Sequence, residues 1–427
     1  MVRLARMVRE LLGNRSANAT VVTAFSILSL IGGAGLATDT IQWTLSKRQL
    51  QRMTDSAALA GAFALAKGNN GSSAASSEIA RYSLLTLNGS PSIETPPTSG
   101  SYSSNSKAVR VTLNANKPLP FSSMFMNTTP NMQATATAAA VGFGTYCVIS
   151  LESTTATGVN FSGSSNVTLG CGVSTNSQGT TAVNAGGSST ISASPVSAVG
   201  LVPASNNYAS GTVLNSYSIS QPDPYASIGL PTGYNCSNQL NIQPSNGNGN
   251  QTTRVQNNGN GIQCYRGMDI KGSVTFDPGT YVIDGSTGNP FSVGAGAVVN
   301  CTGCTFILTT TSTDMTTIAT ARMNGNATWN VSAPETGTYT GIMFYQDRRA
   351  LSGTTNFITG DSSSFFQGAV YFPTQEVQFT GNSSMNSKCL QIVARTVTFT
   401  GSNYIQNVCP TNSNSKAIAG IQIRLVD

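Results

Sequence analysis

The chain has 427 residues, of which only 9% are charged, carries a formal net charge of +6 and contains no histidine. A Ser-His-Asp triad, a Cys-His pair and a His-ligated metal are therefore excluded. The positive balance comes mostly from the first hundred residues, so there is no concentrated basic face to suggest a nucleic-acid partner.

The low charge and the 43 glycines, with abundant Ser, Thr and Asn, suit a β protein surfaced by hydroxyls and amides outside the cytoplasm. Residues 1–16 form a basic tail, with Arg3, Arg6, Arg9 and Arg15 against Glu10. Residues 17–37, ANATVVTAFSILSLIGGAGLA, carry no charge. About 20 apolar residues rising ~1.5 Å each cross a bilayer core of ~30 Å, so this run predicts a transmembrane helix. A signal peptide has a shorter apolar core, about 7–15 residues, and ends at a small-residue cleavage site. Here the helical pattern continues to about Lys67, so the anchor is expected to be retained. The positive-inside rule puts the N-terminus in the cytoplasm and the bulk of the chain outside. Trp43 marks the exit from the bilayer.

Residues 38–145 predict a small α+β stalk. An amphipathic helix is expected over Ser73–Leu87, ending at Asn88-Gly89. Ser90–Asn105 has the Pro/Ser/Gly content of a loop, and Val109–Leu113 and Met132–Val141 alternate as strands.

The N-terminal part resembles the TadE/TadG-like Flp pilus-assembly family of bacterial envelope proteins. The resemblance rests on Gly13-Asn14 and on GLATDTIQWTLSKRQLQRMTDSAALAGA (Gly35–Ala62), where Asp39, Trp43, Arg48, Gln49, Leu50, Gln51, Asp55, Ala57, Ala58, Leu59 and Ala60 match position by position. It implies pilin-like helix packing in the inner membrane and pilus-assembly or pilin-like partners. Two departures matter. Processed prepilins carry Glu five residues after the Gly, where this chain has Asn18. The Asp-x-Ser-x-Ser metal motif of some relatives is not matched by Asp361-Ser362-Ser363-Ser364-Phe365.

From Tyr146 the sequence repeats. An apolar residue two positions before a glycine recurs as Phe161/Gly163, Ile270/Gly272, Met323/Gly325, Ile358/Gly360, Phe379/Gly381 and Phe399/Gly401. VQFTGNS and VTFTGSN are the best-aligned copies. Between them lie β-type runs such as VTLGC, YVIDG, CTFILTT, GIMFY and GAVYF. Short strands in units of about 20–24 residues predict a right-handed parallel β-helix over residues 146–427. The register is lost over about 195–261, which is expected to be a loop-rich insertion. This region resembles the Gly/Ser/Asn-rich β-helical part of some of the same pilus-assembly proteins, through DPYASIGLP, FDPGTYVIDG, SAPETGTYTGIMFYQDR and GAVYFPTQEVQFTGNSS.

β-Helices include polysaccharide lyases and hydrolases, which need paired carboxylates or calcium carboxylates beside a base. Beyond Ser150 the only glutamates are Glu152, Glu335 and Glu376, and Asp223, Asp277 and Asp284 sit in turn-forming Asp-Pro or Asp-Gly contexts. Asp347-Arg348-Arg349 is the one dense charge cluster, expected as a surface ion pair at a turn, with a contact for an acidic partner as the alternative. No catalytic residue, metal or cofactor is assigned.

All eight cysteines lie beyond the anchor, as expected for disulfides in an oxidising compartment. Cys171, Cys389 and Cys409 each fall eight residues after a repeat glycine, so they share one place on the coil. Coils ~4.8 Å apart meet the Cα spacing of ~4.4–6.8 Å that a disulfide needs. The expected bonds are Cys389–Cys409, Cys147–Cys171 and, closing the insertion, Cys236–Cys264. Cys301-Thr302-Gly303-Cys304 lies between strand-like runs and predicts a structural bridge rather than a thioredoxin-like redox site. The combined expectation is a non-enzymatic protein of Flp/Tad pilus assembly or surface attachment, with surface glycan a further possible partner. A membrane-tethered polysaccharide-processing enzyme and a pilus-independent adhesin are the alternatives.

Overall fold

The computed structural model describes residues 15–82, 85–244, 252–257, 261–381, 384–401, 404–407 and 418–426. The chain divides into two compact units, one running to Val141 and taking in residues from Ile423 onward, the other Gly142–Gln422.

The first unit is built on helix α1 (Arg15–Ala66). Its first half presents large apolar side chains outward, among them Phe25, Leu28, Leu30, Ile31 and Ile41, each more than half exposed. Its second half changes character. Leu50, Met53, Ala57, Ala58 and Ala62 recur at helical spacing and are buried. That stripe lies where α1 crosses the antiparallel sheet of β1 (Ser92–Glu94), β2 (Ala108–Asn116) and β3 (Asn131–Ser150). The alanines let the helix and sheet approach closely.

The second helix, α2 (Gly71–Ala80), is shorter than the Ser73–Leu87 pattern predicts. Its N-cap is Asn70, whose side chain accepts from the Ser73 amide at 2.9 Å. Leu85–Leu87 do not continue it. Leu85 is buried and Leu87 bridges antiparallel to Ala115, so sheet pairing wins over the helical pattern. The expected loop Ser90–Asn105 also contributes β1 to that sheet.

The second unit is mainly β, and nearly all its strands pair in parallel with the strand three places on. The chain therefore visits three strand positions before returning to the first. At one position the register runs unbroken through Cys236, Cys264, Val282, Ile307, Tyr345, Tyr371, Val393, Ile149, Ser174, Ser197 and Asn215. At the second, Val377, Val397, Val159 and Val183 align, and with them Gly381 and Gly401. The repeat glycine needs its freedom at Gly163 and Gly401, where φ is 72° and 82°. Inward-facing side chains fill a continuous core, dominated by ring contacts among Phe276, Tyr281, Phe291, Phe306, Trp329, Phe344 and Phe366.

The order of the coils is not the order of the sequence. Residues 146–168 are in the middle of the stack. Residues 172–192 and 196–215 build outward from them on one side. The chain then passes to the far end, pairs Cys236–Val255 with 264–276, and returns coil by coil until 392–406 pairs with 148–168. The stretch 195–261 is thus not uniformly irregular. Val196–Ala198, Leu240–Ile242 and Thr253–Val255 are paired strands, and residues 219–235 form the crossing between the two ends.

Candidate functional site

The residues shared with the pilus-assembly motif have structural partners in the first unit. Asp39 is buried, and its carboxylate accepts from the Phe121 amide at 3.0 Å and from the amide and hydroxyl of Ser122 at 2.5 Å each. It thereby caps the 3-10 turn Ser122–Met124 from a helix far away in sequence. Trp43 lies partly exposed with the Lys47 ammonium 5.3 Å from its ring centre. Gln49 is half-buried and Leu50 fully buried. Gln51 Nε2 donates to Asp55 Oδ1 at 2.7 Å and to the Thr135 carbonyl at 3.2 Å. The motif accordingly fastens a turn and a strand to α1. Above Asp39 the same helix is long and apolar enough to cross a membrane.

The second unit carries an apolar patch outside its core, over the strand position of Val282, Ile307, Tyr345, Tyr371 and Val393. Strands there are buried on both faces, as in Cys304–Thr309 and Ile342–Gln346, whereas Ala321–Met323 and Thr328–Ser332 alternate buried with exposed. The cover is the crossing segment 219–235, with Tyr225, Ile228, Leu230 and Tyr234 packed on the patch. From Gln221, held at both ends of its backbone by the Asn176 side chain, to Cys236 it passes eight coil steps. Eight steps of ~4.8 Å are about 38 Å, and 15 residues span at most about 50 Å, which leaves room for one turn at residues 224–227, where the Ala226 and Ile228 amides donate to the Asp223 and Tyr225 carbonyls. Pro222 and Pro231 favour extended backbone on either side of that turn.

Arg348 fastens this strap. Its Nε donates to the Tyr371 hydroxyl at 2.7 Å, Nη1 to the Ile228 carbonyl at 2.8 Å and Nη2 to the Tyr225 carbonyl. Its guanidinium lies 5.2 Å from the Tyr371 ring centre. Tyr371 in turn donates to Asp223 Oδ2 at 2.7 Å, while Tyr345 and Tyr339 donate to the Ile228 and Gly229 carbonyls at 2.7 Å. Burial, and then the bond to Asp223, push the Tyr371 phenol well above its ordinary value, so it stays a donor. The cluster Asp347-Arg348-Arg349 is therefore more than a surface ion pair. Asp347 is buried, accepting from Thr309 Oγ1 at 2.8 Å and from Arg349, and Arg348 is a clamp.

The other carboxylates are likewise engaged. Glu152 is buried 2.8 Å from Arg395, and Asp277 lies 2.7 Å from Arg254. Glu376 accepts from Thr355 and Thr398 at 2.7 Å each. Burial of Asp284 opposes its ionisation, but four bonds from Thr311 and Ser286 outweigh burial and hold its pKa below the usual carboxylate range. The Arg254 hydrogen bond does the same for Asp277. A glycosidic general acid needs the opposite shift.

Disulfides join Cys147 to Cys171, Cys236 to Cys264 and Cys301 to Cys304, with Cα atoms 5.8, 4.4 and 5.9 Å apart. The first two link neighbouring coils. Cys389 is also disulfide-bonded, while its expected partner Cys409 lies outside the described residues. Among the described residues no three Cys, Asp or Glu converge as a metal site requires.

The strap and its clamp are what sequence reasoning missed, although DPYASIGLP, GIMFYQDR and GAVYF, already notable as shared phrases, are the parts that touch. No curated protein and no protein of known structure matches the chain. What does match is the helix that carries Asp39, Trp43 and Gln51: residues 17–65 fit the family described as putative Flp pilus-assembly TadE/G-like.

Proposed function

We propose that this chain is a non-enzymatic, single-pass envelope protein of Flp/Tad pilus assembly or of surface attachment beside that machinery. The observation that carries the reading is the family match over residues 17–65, on a helix whose apolar half is exposed and long enough to span a bilayer. In this reading residues 17–37 are held in the inner membrane, the basic tail stays in the cytoplasm and the rest is exported. The second unit is a right-handed parallel β-helix. Its three-strand return supports that architecture, and its Asn ladders, such as Asn330 on Asn300 at 2.9 Å and Asn184 on Asn160 at 2.7 Å, offer amides to a protein or glycan partner. The exposed helix face would pack on pilin-like helices. Against a hydrolase stands the use of the described carboxylates as caps, turn locks and ion pairs.

The test is deletion of the gene in the organism that makes the protein, followed by complementation. The reading expects loss of sheared Flp-type pili or of pilus-dependent attachment, restored by the full chain. A chain whose residues 17–65 are replaced by an unrelated membrane helix should fail to restore it. Normal piliation and attachment in the deletion strain would contradict the assignment.

A further inference from the structure

Beside the anchor helix the first unit exposes a second apolar group. Met124 and Phe125 are 75% and 74% exposed, and Met126 is 50% exposed. These are three consecutive large apolar side chains on a tight turn, whereas Val213, Tyr217 and Leu351 are exposed singly in the second unit. The turn is held in place. Asp39 caps it through the Phe121 and Ser122 amides, and the Phe121 ring lies against Gly35, in the room that a side chain at Gly35 would need. Phe121 also meets Phe125, ring centres 5.3 Å apart. The turn is therefore fixed at the level of Gly35–Asp39, where the uncharged run of α1 ends.

We propose that Met124, Phe125 and Met126 dip into the outer face of the same bilayer that α1 crosses, giving the protein a second, lateral membrane contact. This rests on the reading of residues 17–37 as a membrane span. Given that span, Gly35 is about 3 Å inside its end and Asp39 about 3 Å beyond it, at ~1.5 Å per residue. The three side chains are then at the depth where lipid headgroups give way to acyl chains, at the level of exposed Leu36 on the helix. Exposed apolar groups contiguous with a lipid-facing surface belong in lipid rather than water. The consequence is orientational. One helix alone leaves tilt and rotation free, whereas a helix plus a side contact fixes which face of the first unit meets the membrane.

The test uses the full chain in liposomes of phosphatidylcholine and phosphatidylglycerol whose acyl chains carry bromine either near the glycerol or at mid-chain. Phe125→Trp, Met126→Trp and, for the anchor, Phe25→Trp are each compared with a parent bearing Trp43→Phe. All three positions are exposed, so the substitutions leave the core intact. The proposal expects shallow bromine to remove most of the added emission from Phe125→Trp and Met126→Trp, with aqueous iodide having little effect. Phe25→Trp should respond to mid-chain bromine. If Phe25→Trp is quenched by lipid while the other two respond only to iodide, the side contact is wrong and the anchor stands. Phe25→Trp that ignores lipid overturns both. Protection of Phe125→Trp from iodide without lipid quenching would assign the turn to a protein partner and likewise overturn the proposal.

Discussion

The ring of Phe399 stacks on that of Phe161, centres 5.0 Å apart and planes 7° from parallel. The contact joins the last described coil of the second unit to its first, so the middle of the stack is a seam between distant parts of the sequence. Phe379 continues the ladder on the other side of Phe399, at 5.5 Å.

If the seam holds the two halves together, truncating either ring should weaken the unit as a whole. Phe161→Ala and Phe399→Ala are each expected to cost about 3–5 kcal/mol. Because the two rings share one contact, the double variant should cost less than the sum. Denaturant midpoints of the β-region transition, followed by the near-ultraviolet signal, check this. Strictly additive losses would place the rings in independent environments.

Arg348→Ala removes two hydrogen bonds to the strap, at the Tyr225 and Ile228 carbonyls, and the one that positions the Tyr371 hydroxyl. A net loss of about 2 kcal/mol for charged hydrogen bonds is expected to raise local opening by tenfold or more. Limited proteolysis should therefore cut the 219–235 segment faster, with global unfolding little changed. Arg348→Lys should behave nearly as badly, since one ammonium cannot make the fork to Tyr371, Ile228 and Tyr225. Unchanged cleavage in both variants would mean that the tyrosines hold the strap alone.

Asp284 gives a pH dependence with a definite sign. Its folded-state pKa is held below its ordinary value of 3.8, so its stabilising contribution is complete above that value and is lost as pH falls through the folded pKa. Asp284→Asn is expected to destabilise the chain by about 2 kcal/mol at neutral pH, because four donors lose their carboxylate. The gap to the parent should narrow below about pH 4. Melting curves of both proteins from pH 7 to 3 test it, and a gap that widens with acid would reverse the argument.

Non-reducing peptide mapping is expected to return Cys147–Cys171, Cys236–Cys264, Cys301–Cys304 and Cys389–Cys409. Replacing Cys236 and Cys264 by Ser should loosen the outermost coil, with about 3 kcal/mol at stake in the chain-entropy model. Any bond from Cys389 to a residue other than Cys409 would break the register that aligns Gly381 with Gly401.

Much of this architecture is legible in the sequence, and the part that is not has a physical cause. Phe161, Phe379 and Phe399 announce a shared strand position because each is followed at the same two-residue offset by a glycine. Equal offsets from that glycine place Cys171 where a neighbouring coil can reach Cys147. The same periodicity is silent about which coil lies beside which, since any coil edge offers the same backbone pairing. Only side-chain fit at the seam, as between Phe161 and Phe399, selects the order. The strap leaves a trace in the strands that it covers. CTFILTT, GIMFY and GAVYF are apolar without alternation, which means cover on both faces. In the first unit the Ser73–Leu87 pattern overstates a helix because Leu85 and Leu87 serve the sheet. Asp39 gave no sign of its partner, for Ser122 lies in a turn of unremarked composition.

The measurement that bears most directly on the account is protease accessibility in spheroplasts, with an epitope tag at the N-terminus of the chain. The account predicts that external protease removes the whole β region and leaves a short, membrane-embedded fragment that keeps the tag until the spheroplasts are lysed. A β region that stays protected in intact spheroplasts, or a tag absent from the membrane fraction because the apolar run has been cut away, would contradict it.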